Sequence, residues 1–213
     1  MEPEASRVAR LLQSPASVSP MPSPPPSYPE SLETQRLWLR PPHPADAERM
    51  CEALAEAHDE LRHWMDWAQT VPDVEEEREI LASRRSDHLT GREASWLLWR
   101  KEDGVLVGSG GLPRPAWTRR RFEIGYWART SLVGNGYISE FTSHVARMCF
   151  ERLAARRVEI RTGAGNRRSR RVAELTGFRF ERILVRDGCL PDGSSRDTAV
   201  YALYSPPTAQ AAE

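Results

Sequence analysis

The most constraining feature of the chain is Phe122–Glu140, with the sequence FEIGYWARTSLVGNGYISE. Phe122, Ile124 and Tyr126 occupy every second position at its start, which is the pattern of a half-buried β-strand. A glycine-containing loop follows, and apolar residues then recur at helical spacing from Tyr137 onwards. The segment is therefore predicted to form a strand, a tight loop and the first turns of a long helix.

The loop Gly134-Asn135-Gly136 can bend sharply and expose its backbone N–H groups, because glycine has no Cβ to obstruct them. The first N–H groups of a helix have no acceptor within the helix, and the helix dipole adds positive charge at the same end. Phosphate groups bind at helix starts of this kind. The loop is therefore predicted to hold a cofactor that carries phosphate groups.

The length, charge balance and cysteine content of the chain limit the class of protein to which it can belong. A chain of 213 residues suits one domain, and 30 basic against 30 acidic residues give no net charge that would attract nucleic acid. Cys51, Cys149 and Cys189 are widely spaced, which argues against a disulfide framework or a zinc site. No apolar run approaches the roughly 18–20 residues of a membrane span, and no secretory signal is visible. We expect no metal, no membrane partner and a cytoplasmic location.

The composition changes along the chain. Eight of the 17 prolines precede residue 31, and such a segment cannot bury enough apolar surface to offset its ordering entropy. Residues 1–32 are therefore predicted to be a disordered Pro/Ser-rich extension, 33–205 a single folded domain, and 206–213 a flexible tail.

The pattern of elements indicates an α/β fold, in which one mixed central sheet is flanked by helices. A parallel step is expected where the long helix crosses over. The predicted strands are Glu33–Arg40, Ala94–Arg100, Val105–Leu112, the strand at Phe122, Arg157–Thr162, Phe178–Val185 and Asp197–Tyr204. One helix is predicted to start at Thr70, and a short one is predicted to be capped by Asn166.

Several sequence islands occur in a characteristic order: TQRLWLRP, LRHWMDWA, EIGYW, GNGYISE, NRRSRRVAELTGF and RDTAVYAL. With these, the chain from about Thr34 to Tyr204 resembles the GNAT (Gcn5-related) N-acetyltransferases, specifically the RimJ/RimL-like branch that acetylates protein N-termini. The family's loop pattern is Gln/Arg-x-x-Gly-x-Gly/Ala. Gly134 and Gly136 match it, whereas Ser131 replaces the first residue. The resemblance implies the GNAT fold, with acetyl-CoA as co-substrate in a cleft at the parallel step.

The resemblance also assigns cofactor contacts. In the family the pyrophosphate lies on the loop N–H groups, which correspond here to Val133, Gly134, Asn135, Gly136 and Tyr137. The pantetheine arm pairs with the end of the preceding strand, near Trp127 and Ala128. The asparagine that matches Asn166 contacts the cofactor near its thioester, and the hydroxyl that matches Ser169 lies close to the sulfur.

Acetyl transfer to an amine requires a neutral nucleophile, and an α-amino group with a pKa of about 8 is partly neutral at pH 7. Glu123, on the strand beside the cleft, is the candidate general base; alternatively it is a structural carboxylate that pairs with nearby arginines. Ser169 is the candidate acid for the leaving thiolate, or a helix-start hydroxyl that bonds the backbone. Trp64 and Trp67 form either a wall of the acceptor pocket or a plug of the core.

The predicted function is direct transfer of an acetyl group from acetyl-CoA to a primary amine in a ternary complex, with a protein or peptide N-terminus favoured as acceptor. A small-molecule amine or antibiotic is the alternative acceptor, and a catalytically inactive GNAT-like binding module is the alternative of another class. A dinucleotide-binding module is a further alternative, because Glu159 follows the loop by about twenty residues, although Ser139 replaces the third glycine. Both a monomer and a homodimer stay open.

Overall fold

The fold is built on two β-sheets that share one continuous segment, Arg121–Ala128. The computed structural model describes residues 27–190 and 193–207. Its strands are β1 (Leu32–Glu33), β2 (Leu37–Arg40), β3 (Ala94–Arg100), β4 (Leu106–Leu112), β5 (Arg121–Glu123), β6 (Gly125–Ala128), β7 (Arg157–Gly163), β8 (Arg179–Cys189) and β9 (Ser195–Leu203). Its α-helices are α1 (Ala47–Trp64), α2 (Val74–Leu89), α3 (Tyr137–Arg152) and α4 (Arg167–Leu175).

The first sheet has the strand order β1-β2-β3-β4-β6, and all its neighbours are antiparallel. The second has the order β5-β7-β9-β8, in which β5 and β7 are parallel. The predicted α/β architecture with a parallel step is thus confirmed, but the predicted single sheet is divided in two. The division falls at Ile124, because the chain changes its pairing partner there. The Ile124 N–H donates to the carbonyl of Glu159 at 2.9 Å.

The helices cover the two faces of the first sheet with separate apolar cores. Leu54 of α1 and Leu81 of α2 pack with Leu97 and Trp127 on one face. On the other face, α3 lies directly on β4. A Cβ at Gly110 would stand 2.5 Å from the ring of Phe141, so a glycine is required for this close approach. Helix α3 is thereby fixed with its N-terminus at the predicted cofactor loop.

Two predicted boundaries differ from the structure. The strand predicted over Glu33–Arg40 is a hairpin of β1 and β2, closed by the Thr34 N–H, which donates to the Leu37 carbonyl at 3.0 Å. Helix α2 begins at Val74 rather than at Thr70, because Asp73 caps it. One carboxylate oxygen of Asp73 accepts hydrogen bonds from the backbone N–H groups of Glu75 and Glu76, each at 2.9 Å.

The packed structure begins before residue 33, where the folded domain is predicted to start. Tyr28 is 5% exposed, and its ring centroid lies 5.9 Å from that of Trp117. The carbonyl of Pro29 accepts a hydrogen bond from Trp96 Nε1 at 3.3 Å and lies 3.2 Å from His88 Nε2. The rest of the predicted extension, and residues 208–213 of the predicted tail, lie outside the described residues.

Tyr28→Ala is expected to lower the free energy of unfolding by about 3 kcal/mol, because truncating a buried aromatic side chain leaves a cavity. Tyr28→Phe is the matched control. The Tyr28 hydroxyl is buried and has no partner among the described residues, so its removal should leave stability unchanged or raise it slightly. Urea unfolding of both variants measures the difference, and equal stabilities would mean that Tyr28 does not pack as described.

Candidate active site

A cleft opens where β6 and β7 diverge. Strand β6 pairs with β4 along Gly125–Ala128 on one edge, and it is the last strand of its sheet among the described residues. Beyond Glu159, β7 pairs with β9 and with no other described strand. The edges of β6 and of Ile160–Gly163 therefore face each other without hydrogen bonds between them. Trp127 and Ala128, which are predicted to contact the pantetheine arm, lie on this open edge of β6.

The predicted cofactor loop closes one end of the cleft. A 3-10 turn over Thr130–Leu132 follows β6, and α3 begins directly after Gly136. Gly134 and Gly136 have φ of +90° and +78°, a region that favours glycine. The Val133 N–H already donates to the Thr130 carbonyl at 3.3 Å. The N–H groups from Gly134 to Tyr137 donate to no acceptor within the described residues, so they are free to bind an anion.

The N-terminal hairpin holds this loop in place through Arg36. Its Nη1 donates to the carbonyl of Asn135 at 2.9 Å, and its Nε donates to Glu140 at 2.6 Å. The backbone N–H of Arg36 and the hydroxyl of Thr34 donate to the same carboxylate at 2.7 and 2.5 Å. Burial acts to raise the pKa of Glu140, but these hydrogen bonds outweigh it and hold the pKa below its ordinary value.

The start of the loop is tied to α1 by Glu56. One carboxylate oxygen accepts from the backbone N–H of Ser131 at 2.8 Å, and the other pairs with Arg129 at 2.7 Å. Ser131 stands where the family pattern has glutamine or arginine. Its backbone thus anchors the loop to α1, and the nearby cation of Arg129 is engaged by the same carboxylate.

Glu140→Ala is expected to weaken the binding of acetyl-CoA about fivefold, because it removes the three hydrogen bonds that fix the loop while the loop amides remain. Glu151→Ala is the control, since Glu151 is an exposed residue of the same helix. Isothermal titration calorimetry gives both dissociation constants. Equal values for wild type and Glu140→Ala would contradict a clamping role.

Three polar residues, Asn166, Ser169 and Tyr126, come together where β6 contacts the start of α4. The Asn166 side chain accepts from the Ser169 N–H at 3.0 Å and caps α4, as predicted. Its amide nitrogen donates to no described residue and so stays available. The hydroxyl of Tyr126, on β6, lies 3.1 Å from Ser169 Oγ and 3.2 Å from the Ser169 carbonyl. Burial raises the pKa of Tyr126 to about 12, although the Ser169 hydroxyl acts against this.

Glu123 lies beside Glu159 in the parallel pairing of β5 and β7. Burial raises the pKa of Glu123, while the charge of Arg161 opposes the rise. The nearby arginines form ion pairs with Glu159 instead of Glu123. Glu159 binds Arg121 at 2.5 Å and Arg157 at 2.9 Å. Within the described residues, Glu123 has no such ion pair, which leaves it as a half-buried carboxylate with a raised pKa.

The two predicted acceptor-pocket tryptophans have different positions. Trp64 ends α1 and crosses to the second sheet, where a Cβ at Gly163 would stand 3.0 Å from its ring. Its carbonyl accepts a hydrogen bond from Arg196 at 2.8 Å. Trp67 lies in a separate 3-10 turn and is 37% exposed, and no contact within the described residues joins it to the cleft.

A model of the acetyltransferase (GNAT) domain matches residues 36–179. The chain belongs to the GNAT acetyltransferase family. The predicted fold and acyltransferase class are therefore confirmed, and the loop belongs to a GNAT domain rather than to a dinucleotide-binding module.

Relatives of this GNAT chain support the predicted RimJ/RimL-like branch. It is 31% identical to YdaF of Bacillus subtilis (strain 168), a protein named provisionally as a ribosomal N-acetyltransferase, over 79% of this chain and 91% of YdaF. It is 26% identical to the ribosomal-protein-serine acetyltransferase of Escherichia coli (strain K12), over 67% of this chain and 78% of that protein. The crystal structure of Mycobacterium smegmatis RimJ in complex with CoA-disulfide superposes with a TM-score of 0.75 at 25% identity, covering 88% and 93% of the two chains.

Two features are absent from the described part of this GNAT chain. Within residues 27–190 and 193–207, no cluster of three or more His, Cys, Asp or Glu side chains is placed to hold a metal ion. None of the described helices is both long enough and apolar enough to cross a membrane.

Proposed function

We propose that this GNAT enzyme transfers the acetyl group of acetyl-CoA to the α-amine of a protein or peptide N-terminus. The amine attacks the thioester directly while both substrates are bound. The observation that carries the proposal is a row of unbonded loop amides, Gly134 to Tyr137, at the end of an open cleft between two strands. RimJ of M. smegmatis, a relative with this fold, binds a form of CoA.

In the proposed complex the pyrophosphate accepts hydrogen bonds from the free amides of the loop at the N-terminus of α3, where the helix dipole also favours negative charge. Val133 shapes the loop but contributes no free amide, because its N–H is already bonded. The pantetheine arm runs along the open edge of β6 and pairs with the backbone of Trp127 and Ala128. The free amide group of Asn166 contacts the cofactor near the thioester.

The proposed chemistry uses Glu123 and Ser169. The neutral amine attacks the carbonyl carbon of the thioester, and Glu123 takes the surplus proton, directly or through a water molecule. The carbon–sulfur bond breaks, and Ser169 gives its proton to the leaving sulfur. The raised pKa of Glu123 makes it a stronger base than an exposed glutamate. Holding the two reactants together contributes more than either group, because positioning can remove roughly 7–11 kcal/mol of barrier.

The proposed acceptor follows from the chemistry of amines and from the relatives. An α-amino group, with a pKa of about 8, is far more often neutral at pH 7 than a lysine side chain, with a pKa of about 10.4. YdaF is named as a ribosomal N-acetyltransferase, and the E. coli relative is named as acting on ribosomal-protein serine. Trp64, which lies against Gly163 at the end of β7, supplies an aromatic wall for the first residues of a peptide.

The test is an acceptor screen with acetyl-CoA, using peptides from ribosomal-protein N-termini that begin with serine. Release of CoA gives the rate, and mass spectrometry locates the acetyl group. We expect a single acetyl group on the α-amine and no reaction with the same peptides when their N-termini are blocked. Acetylation of small amines alone would overturn the proposed acceptor. Binding of acetyl-CoA without any acetylated product would overturn the transfer itself.

A further inference from the structure

The contact between Tyr126 and Ser169 bridges the two sides of the cleft. Tyr126 belongs to β6 of the first sheet, whereas Ser169 belongs to the helix that follows β7 of the second sheet. Their hydroxyl oxygens are 3.1 Å apart, which is a hydrogen-bond distance. Tyr126 lies outside the family's loop pattern, which begins at Ser131, and the resemblance gives it no role. The contact nevertheless lies at the residue proposed to protonate the leaving sulfur.

A serine hydroxyl has one proton, and the group that it faces decides where that proton points. If Ser169 donates to Tyr126, its proton is directed away from the thioester. The Tyr126 hydroxyl has two acceptors within reach, the Ser169 carbonyl at 3.2 Å and Ser169 Oγ at 3.1 Å. If Tyr126 donates to Ser169 Oγ, the nearer of the two, the Ser169 proton is free to point into the cleft. Tyr126 is half-buried, and a buried phenol stays protonated at neutral pH, so it has a proton to donate. Ser169 lies in the first turn of α4, a helix of nine residues, where the helix dipole also favours negative charge.

We propose that Tyr126 is a positioning residue for acetyl transfer, which donates its hydroxyl proton to Ser169 Oγ and thereby turns the Ser169 proton toward the sulfur of acetyl-CoA. The inference rests on the proposed function. As the carbon–sulfur bond breaks, the electron pair of that bond goes to sulfur, and the Ser169 proton completes the CoA thiol. The Tyr126 proton moves to Ser169 Oγ, and solvent restores Tyr126 with a proton equivalent to the one that the amine lost.

The experiment compares Tyr126→Phe, Ser169→Ala and the double variant, with whichever amine gives the fastest CoA release in the acceptor screen. Tyr126→Phe keeps the ring and removes only the hydroxyl. We expect kcat to fall about tenfold in Tyr126→Phe and about 100-fold in Ser169→Ala. The second figure is the low end for general acid catalysis, because a thiolate is already a fair leaving group. The double variant should be no slower than Ser169→Ala, since both changes remove one function.

Two further readouts separate positioning from a structural role. The affinity for acetyl-CoA and the melting temperature of Tyr126→Phe should match those of the wild type. Tyr204→Phe is the control and should keep full kcat, because it removes the hydroxyl of an exposed tyrosine just after β9 that bonds Glu181 and Arg157 and not the cleft. Ser169→Thr, which keeps a hydroxyl, should retain most of the activity.

Three results would overturn the inference while acetyl transfer stands: full kcat in Tyr126→Phe, multiplicative losses in the double variant, or a loss of cofactor affinity that accounts for the fall in rate. If the wild type acetylates no amine at all, the proposed function fails and this inference fails with it.

Discussion

Gly134→Glu is expected to raise the dissociation constant of acetyl-CoA by about 100-fold or more, because a carboxylate placed a few ångströms from a pyrophosphate repels it by several kcal/mol. A Cβ at Gly134 would meet no atom within 4 Å, so the side chain itself has room. The backbone there has φ of +90°, which any other residue adopts with strain.

Gly134→Gln is the matched control for that strain. Glutamine has the size and the backbone preference of glutamate but carries no charge, so the two variants share any loss that comes from the conformation of the loop. Calorimetric titration with acetyl-CoA should therefore place Gly134→Gln between the wild type and Gly134→Glu. Equal affinities of the two variants would show that no anion lies near Gly134, and the loop assignment would fall.

Glu123→Gln is expected to lower kcat by about 100-fold, which is the low end of the usual contribution of a general base. The affinity for acetyl-CoA should stay the same, because the loop amides are untouched. In the wild type, kcat/KM should fall as the pH drops through the raised pKa of Glu123, since the protonated form cannot accept the proton of the amine. The variant should lack this dependence, and a fully active variant would rule Glu123 out as the base.

Glu123→Gln, which is expected to lower activity, is expected to raise the stability of the folded protein at the higher pH. Because the pKa of Glu123 in the folded protein is raised, its protonation favours the folded state, and the stabilising effect disappears as the pH rises through that pKa. Above that pKa the wild type therefore keeps a half-buried charge that Glu123→Gln lacks. We expect the variant to melt at a higher temperature than the wild type above that pKa, and at nearly the same temperature below it. A lower melting temperature of the variant at the higher pH would contradict the burial of this carboxylate.

Local patterns were sufficient to predict the parts of the site that depend on neighbours in sequence. The alternation that begins at Phe122, the glycines of the loop and the capping side chain of Asn166 are each set by a few adjacent residues. The sequence therefore predicted where the glycine-containing loop before α3 and the start of α4 lie.

Features that depend on distant partners were not predicted. The strand that begins at Arg121 divides between two sheets because β4 and β7 compete for its backbone, and local alternation carries no sign of this change. The pair of Arg36 and Glu140 joins residues 104 positions apart. In the same way, Tyr126 and Ser169 meet only because the helix after β7 returns to the cleft.

The N-terminal segment shows how composition can mislead. Tyr28 and Pro29 stand in a proline- and serine-rich stretch, and its composition predicted a disordered extension as far as residue 32. The Tyr28 ring packs against Trp96 and Trp117, and the Pro29 carbonyl accepts a hydrogen bond from Trp96, so this part of the stretch lies on the core. Composition averages over such contacts, which depend on two residues and on the shape of their pocket.

The central claim is that the free amides after β6 bind the phosphates of acetyl-CoA. Titration of the 15N-labelled protein with acetyl-CoA, followed by amide resonances in NMR spectra, tests it most directly. We predict large shifts of the Gly134, Asn135, Gly136 and Tyr137 resonances at saturation, together with slower hydrogen exchange of these amides. Saturable binding that leaves all four resonances unchanged would contradict the claim.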